Sequence, residues 1–157
     1  MVAGDSKLRV VHTPGHAPDH ACFFEDDTRT LFCGDLIVSG STVVIPGGRG
    51  GDLKAYLASL QHVLALKPRR VLPAHGPEIS HPAEQIQHYL EHRRRREDQV
   101  IASLREGCTS PETIVGLVYV GLSEQLVEPA AHSVLAHLIK LRDEGQAREV
   151  DGEWTLT

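Results

Sequence analysis

Three times within the first 76 residues a short apolar run stops at a glycine or proline beside a histidine or an aspartate. The runs LRVVH at 8–12, TLFC at 30–33 and Arg70 to Pro73 read as strands. They lead directly into His12-Thr-Pro-Gly-His16, Gly34-Asp35 and Ala74-His75-Gly76. A sheet holds the backbone before each turn, so the polar head after it projects at an edge, where ligand and catalytic groups collect. His16, Asp35 and His75 thus sit at equivalent places. Two imidazoles and a carboxylate are donors that borderline Zn²⁺ or harder Fe or Mn accepts, and a carboxylate can bridge two ions.

The remaining pattern makes the first half a mixed α/β layout. ACFFE at 21–25 forms a hairpin with 30–33 across the polar turn Glu25-Asp26-Asp27-Thr28. After Asp35 an apolar stretch at 43–45 is stopped by Pro46. Four glycines among residues 47–51 then carry the mark of a mobile loop. Asp52 caps a helix from Leu53 to Leu66, which Lys67-Pro68 stops. Near His81-Pro82 the character changes, placing one domain at 1–82 and another at 83–157. A long polar helix runs from Ala83 to Glu106, with Ile86, Leu90, Val100, Ile101 and Leu104 on its apolar side. Ser110 and Pro111 open a helix to Tyr119, and Pro129 opens another that Gly145 closes. AREVDGEWTLT reads as a hairpin across Asp151-Gly152. Three helices followed by a two-stranded wing is the winged-helix pattern.

Composition excludes several classes. A chain of 157 residues is one domain or two small ones, and 41% hydrophobic with 24% charged residues is the balance of a globular protein. No apolar run approaches the roughly 18 to 20 residues that cross a bilayer. The start MVAGDSKLRVV lacks an apolar core of signal-peptide length, so a cytoplasmic protein is expected. Cys22, Cys33 and Cys108 form no C-x-x-C pair, which argues for reduced, structural thiols. Ten histidines and no asparagine make histidine the residue to follow.

TPGHAPDH at 13–20, FCGDLI at 32–37 and PAHGPEI at 73–79 resemble the third, fourth and fifth motifs of the metallo-β-lactamase superfamily, in family order. The second half resembles the C-terminal part of its β-lactamase-like protein 2 branch, related to the glyoxalase II type hydrolases. The resemblance implies a fold class: the C-terminal half of an αββα sandwich followed by an α-helical, winged-helix-like domain. It implies His16 as the third histidine of a first metal site, Asp35 as the bridging and catalytic carboxylate, and His75 as the histidine of a second site. Up to two ions, Zn²⁺ foremost with Fe or Mn as alternatives, would activate a hydroxide that attacks an ester, thioester, lactam or phosphodiester. Small molecules or RNA are the implied substrates.

The leading motif of that family, H-x-H-x-D-H, is absent. His16-Ala-Pro-Asp19-His20 imitates it superficially, one residue short and with no H-x-H before the aspartate. A truncated or split form with an incomplete dinuclear site is therefore expected. Half a sandwich exposes a sheet face, which should be buried on a second copy or on the missing half.

Other candidates have plainer readings. Asp19 and His20 could touch substrate or orient a ligand, but read better as a satisfied loop pair. Cys33 reads as core, and His88 and His92 as a solvated helix face. Arg93 to Arg96, amid Glu91, Glu97 and Asp98, read as a solvated ion-pair surface. Residues 83–157 hold 8 basic and 13 acidic residues, the entire net charge of −5. That balance opposes DNA binding, and the helix after Pro129 offers only His132, His137, Lys140 and Arg142 as donors. The end is read as a packing module closing over the cleft. The competing functions are a non-catalytic winged-helix binding module and a self-associating remnant.

Overall fold

The computed structural model describes residues 2–3 and 6–157 and divides into two compact units. The first comprises Met1–Val43 and Lys54–Glu91, the second Val44–Leu53 and His92–Thr157.

Five strands form the sheet of the first unit in sequence order: β1 (Val2–Ala3), β2 (Ser6–His12), β3 (Ala21–Glu25), β4 (Thr30–Gly34) and β5 (Arg70–Pro73). β2, β3 and β4 pair antiparallel in turn, and β5 runs parallel to β4. Two reversals return β4 to the direction of β2, so β2, β4 and β5 all end at one edge. That topology gathers the three polar turns. Helix α1 (Leu53–Ala65) makes the parallel crossover from β4 to β5, the connection that such a pair requires. It is tied to the strand ends by Tyr56, whose hydroxyl donates to Leu36 O at 2.7 Å, and by Ser59, which donates to Pro14 O at 2.8 Å.

One face of the sheet is core: Val11, Cys22, Phe24, Leu31, Cys33 and Val71 are buried. The other carries a row in direct register, Val10, Phe23, Phe32 and Leu72. Val10 and Phe32 in that row are 55% and 40% exposed.

Helix α2 (Pro82–Arg105) belongs to the first unit up to Glu91 and to the second from His92. The second unit adds α3 (Pro111–Val118), α4 (Glu124–Asp143) and the hairpin β6 (Ala147–Val150) and β7 (Glu153–Leu156). Its core is Val100, Leu104, Ile114, Val134, Leu138 and Trp154 with their neighbours. Ser110 caps α3 through a reciprocal bond with Thr113, and Pro111 takes its first position. Asp151 and Gly152 both have positive φ, 52° and 82°, as a two-residue type I′ hairpin demands.

Three expectations are corrected. Pro129 does not open its helix: α4 starts at Glu124 after Ser123, and Pro129 lies inside. The ring costs one backbone bond, that to the carbonyl of Gln125, and packing of the long buried face offsets it. The glycine stretch 47–51 is not a free loop. Gly47 donates to His132 O at 3.2 Å, and a Cβ there would meet the backbone of Ala136 at 2.4 Å, so glycine is needed for close approach to α4. The arginine run is not wholly solvated. Consecutive helical residues are about 100° apart, so four of them surround the helix and one must face inward. That one is Arg93, 4% exposed, while Arg96 lies 4.2 Å from the ring centre of Tyr119 and donates to Val118 O. Glu97 turns to His137 and Lys140 instead.

Candidate functional site

Each polar turn is fixed by its local chemistry. After β2, the buried Thr13 donates its amide to His20 O at 2.9 Å, closing the loop that carries His16. Gly15, with φ 136°, lies so close to Tyr56 that a Cβ would come within 2.4 Å of its backbone. After β4, a register shift between Phe32 and Gly34 leaves Cys33 as the extra residue, a bulge that re-aims the chain before Asp35. Gly34 has φ 53°, and a Cβ there would stand 2.9 Å from His20 Nε2. After β5, Ala74 donates to Gly34 O at 3.0 Å, which ties the His75 turn to the Asp35 turn.

The three turns surround a cavity of about 350 Å³ whose lining includes His16, Asp35 and His75. His75 Nε2 stands 3.6 Å from Asp35 Oδ1, with the side chains 78% and 41% exposed. Ser39, Ser41 and Thr42 add hydroxyl-bearing residues to the wall. This wall escapes the sequence reading. It is held by Tyr89, whose hydroxyl accepts from Val38 N at 3.0 Å and donates to Ser41 O at 2.8 Å. The buried stripe Ile86-Tyr89 on α2 is the signal that could have found it.

His20 lies beside the site rather than in its lining. It is half-buried, and its Nε2 accepts from the Asp35 amide at 3.2 Å. Burial pushes its basicity below the ordinary imidazole value, only partly opposed by the bond to Thr13. Asp19 is exposed and lies outside the cavity lining. Cys22 and Cys33 are buried free thiols, pushed up by burial to about 11 and about 12, so both stay protonated and unreactive near neutral pH. His88 is exposed on α2.

The donors fit a divalent metal in kind, two imidazoles and one carboxylate, but not in number. Among the described residues no three His, Cys, Asp or Glu side chains form a group able to hold an ion, where zinc takes about four ligands. The edge thus gathers two imidazoles and one carboxylate around a single cavity.

Residues 1–75 match the family model described as the metallo-beta-lactamase superfamily, and residues 110–154 that of the beta-lactamase associated winged helix domain. Over these stretches the chain belongs to the metallo-β-lactamase superfamily. It is 37% identical over 147 residues to the beta-lactamase-like protein 2 homolog of Drosophila melanogaster, covering 91% of this chain and 48% of that protein. It is 33% identical over 143 residues to an atrochrysone carboxyl ACP thioesterase of Aspergillus chevalieri, covering 83% of this chain and 45% of that protein. A metallo-beta-lactamase family protein from Thermus thermophilus superposes with a TM-score of 0.88 at 23% identity, over 100% of this chain and 52% of that one. This last likeness shows the fold over about half of that chain, and the winged-helix match places such a domain at the C-terminal end of this one. The chain spans about half the length of the superfamily relatives it matches.

Proposed function

We propose that His16, Asp35 and His75 are one share of a metal-dependent hydrolase centre, with Asp35 the carboxylate common to both histidines. The observation that carries this reading is the convergence of three strand-end turns on one cavity. A bound ion of Zn²⁺, Fe or Mn type would supply activated water and a polarised scissile bond. The chain's own residues provide donors and, through Ser39, Ser41 and Thr42, a polar wall for the substrate. Among ester, thioester, lactam and phosphodiester, a thioester is favoured, because a relative of 33% identity is named a thioesterase.

The missing donors are assigned to a further β-layer bearing the superfamily's leading motif. It would pack on the row Val10, Phe23, Phe32 and Leu72, an apolar strip in which Val10 and Phe32 are exposed, Phe23 and Leu72 half-buried, and no side chain offers water a hydrogen bond. Co-expression with such a segment should yield a complex in sedimentation analysis that Phe32→Glu abolishes. Self-association of the chain alone, lost in the same variant, would assign the row to a second copy instead.

Titration of the chain with Zn²⁺, followed by calorimetry, tests the centre. Binding is expected to fall at least about tenfold in Asp35→Ala and in His75→Ala, and to stay unchanged in His88→Ala. Binding that Asp35→Ala leaves intact, or no binding to the chain or its complex, would overturn the reading.

A further inference from the structure

The hydrogen bonds behind the Asp35 turn run in one direction and close on themselves. The Asp35 amide can only donate, so His20 Nε2 at 3.2 Å must be a bare acceptor. The proton of the neutral ring then sits on Nδ1, which faces Thr13 Oγ1 at 2.8 Å and donates to it. That leaves the Thr13 hydroxyl hydrogen for Cys22 Sγ at 3.3 Å, and the Cys22 thiol hydrogen for Cys33 O at 3.6 Å. Cys33 lies two residues before Asp35, where the relay began. The loop joins the end of β2, the start of β3 and the bulged end of β4, and one fixed donor sets every hydrogen in it.

We infer that His20 is a positioning residue for Asp35, held as the Nδ1–H tautomer and acting on the aspartate through its backbone amide. The inference rests on the reading of Asp35 as the shared ligand. It also rules His20 out as a source of the missing ligands, since its Nε2 lone pair is committed to the Asp35 amide. Gly34 belongs to the same device. A Cβ at Gly34 would stand 2.9 Å from His20 Nε2, so only glycine lets the ring reach past it to the next amide. Thr13 and Cys22 are fully buried, so the ring is fixed from behind by groups that water does not reach. Partners one step behind a metal ligand typically change metal affinity by roughly ten- to a hundredfold when removed.

Long-range ¹H–¹⁵N correlation of the labelled chain near neutral pH reads the tautomer directly. His20 should show a protonated Nδ1 and a bare Nε2; a protonated Nε2 would overturn the inference. Exchange of the Asp35 amide is the second readout. Protection should fall at least about tenfold in His20→Leu and return in part in His20→Gln, whose side-chain oxygen can accept the same bond. Should His20→Leu fail to fold, Thr13→Val serves. The Asp35 amide still donates to Nε2, so the Nδ1–H tautomer should persist while protection of that amide falls as the ring loses its rear support. A protonated Nε2 in this variant would count against the amide as the donor that sets the ring. Zn²⁺ alone is the probe for the consequence, with affinity down about tenfold or more in His20→Leu. Absence of Zn²⁺ binding in wild type would sink the ligand reading of Asp35. The tautomer and the amide protection would still decide whether His20 holds that turn.

Discussion

Each unit of this protein contains a histidine beside a carboxylate at almost the same distance, and burial gives the two pairs opposite roles. His75 Nε2 and Asp35 Oδ1 are 3.6 Å apart, with His75 78% exposed. His137 Nδ1 and Glu97 Oε2 are 3.4 Å apart, with His137 4% exposed. The second pair is extended by Lys140, which donates to Glu97 at 2.9 Å and to Glu144 at 2.9 Å, and it lies in the same unit as the buried Arg93. In water the energetic stake of such a pair is small, and its donors stay available to a ligand. In a packed helix interface water cannot take the place of a lost partner, and the pair becomes part of the scaffold.

The largest effect should come from breaking the buried side. Glu97→Ala leaves Lys140 and His137 without their shared carboxylate and should cost about 3 kcal/mol in urea unfolding. Asp35→Ala, the matching deletion on the exposed side, should stay within about 0.5 kcal/mol of wild type. Equal costs would erase the distinction between the pairs.

A smaller loss is expected from the backbone of the exposed side. Gly34→Ala demands a positive φ of a residue with a Cβ and presses that atom on His20. About 1 to 3 kcal/mol should be lost, seen as a lowered urea midpoint. A neutral result would mean that the turn relaxes freely.

Acid offers a third, gentler test. Burial lowers His137 below its ordinary 6.5, against the opposing pull of Glu97, so the unfolded chain takes up a proton that the fold resists. For a base depressed in the fold, stability is complete above about 6.5 and declines as pH falls. Glu97 acts in the same direction further down. Burial raises it, but bonds from His137 and Lys140 outweigh burial and hold it below its ordinary 4.5. Stability should therefore drop as pH falls below about 6.5, and His137→Phe should flatten that limb. An unchanged slope in the variant would remove His137 as its source.

The legible part of this protein is that set by local chemistry. The ends of the strands at 21–25 and 70–73, the Ser110-Pro111 helix start and the Asp151-Gly152 turn are written in residues whose φ, hydrogen bonding or branching admits few alternatives. Pro129 misleads because proline prefers a helix start, while the apolar face of α4 extends across it and packing outweighs one lost bond. Arg93 misleads because a charge run looks solvated until the helix that carries it is given an inside. Tyr89 and the wall it holds stay hidden for a similar reason, since the contact joins residues 51 apart in sequence.

By itself the sequence determined the donor types His16, Asp35 and His75, the turns that free them and the absence of the H-x-H-x-D-H motif. Those are properties of single residues and their immediate neighbours. Only the tertiary structure decided that the three turns share one cavity, because that depends on β2, β4 and β5 running the same way. It likewise decided that His20 faces the Asp35 amide while His137 is sealed in a helix interface. Identical imidazoles differ in role through burial and hydrogen-bond partners, and both are set by chain segments far apart in the sequence.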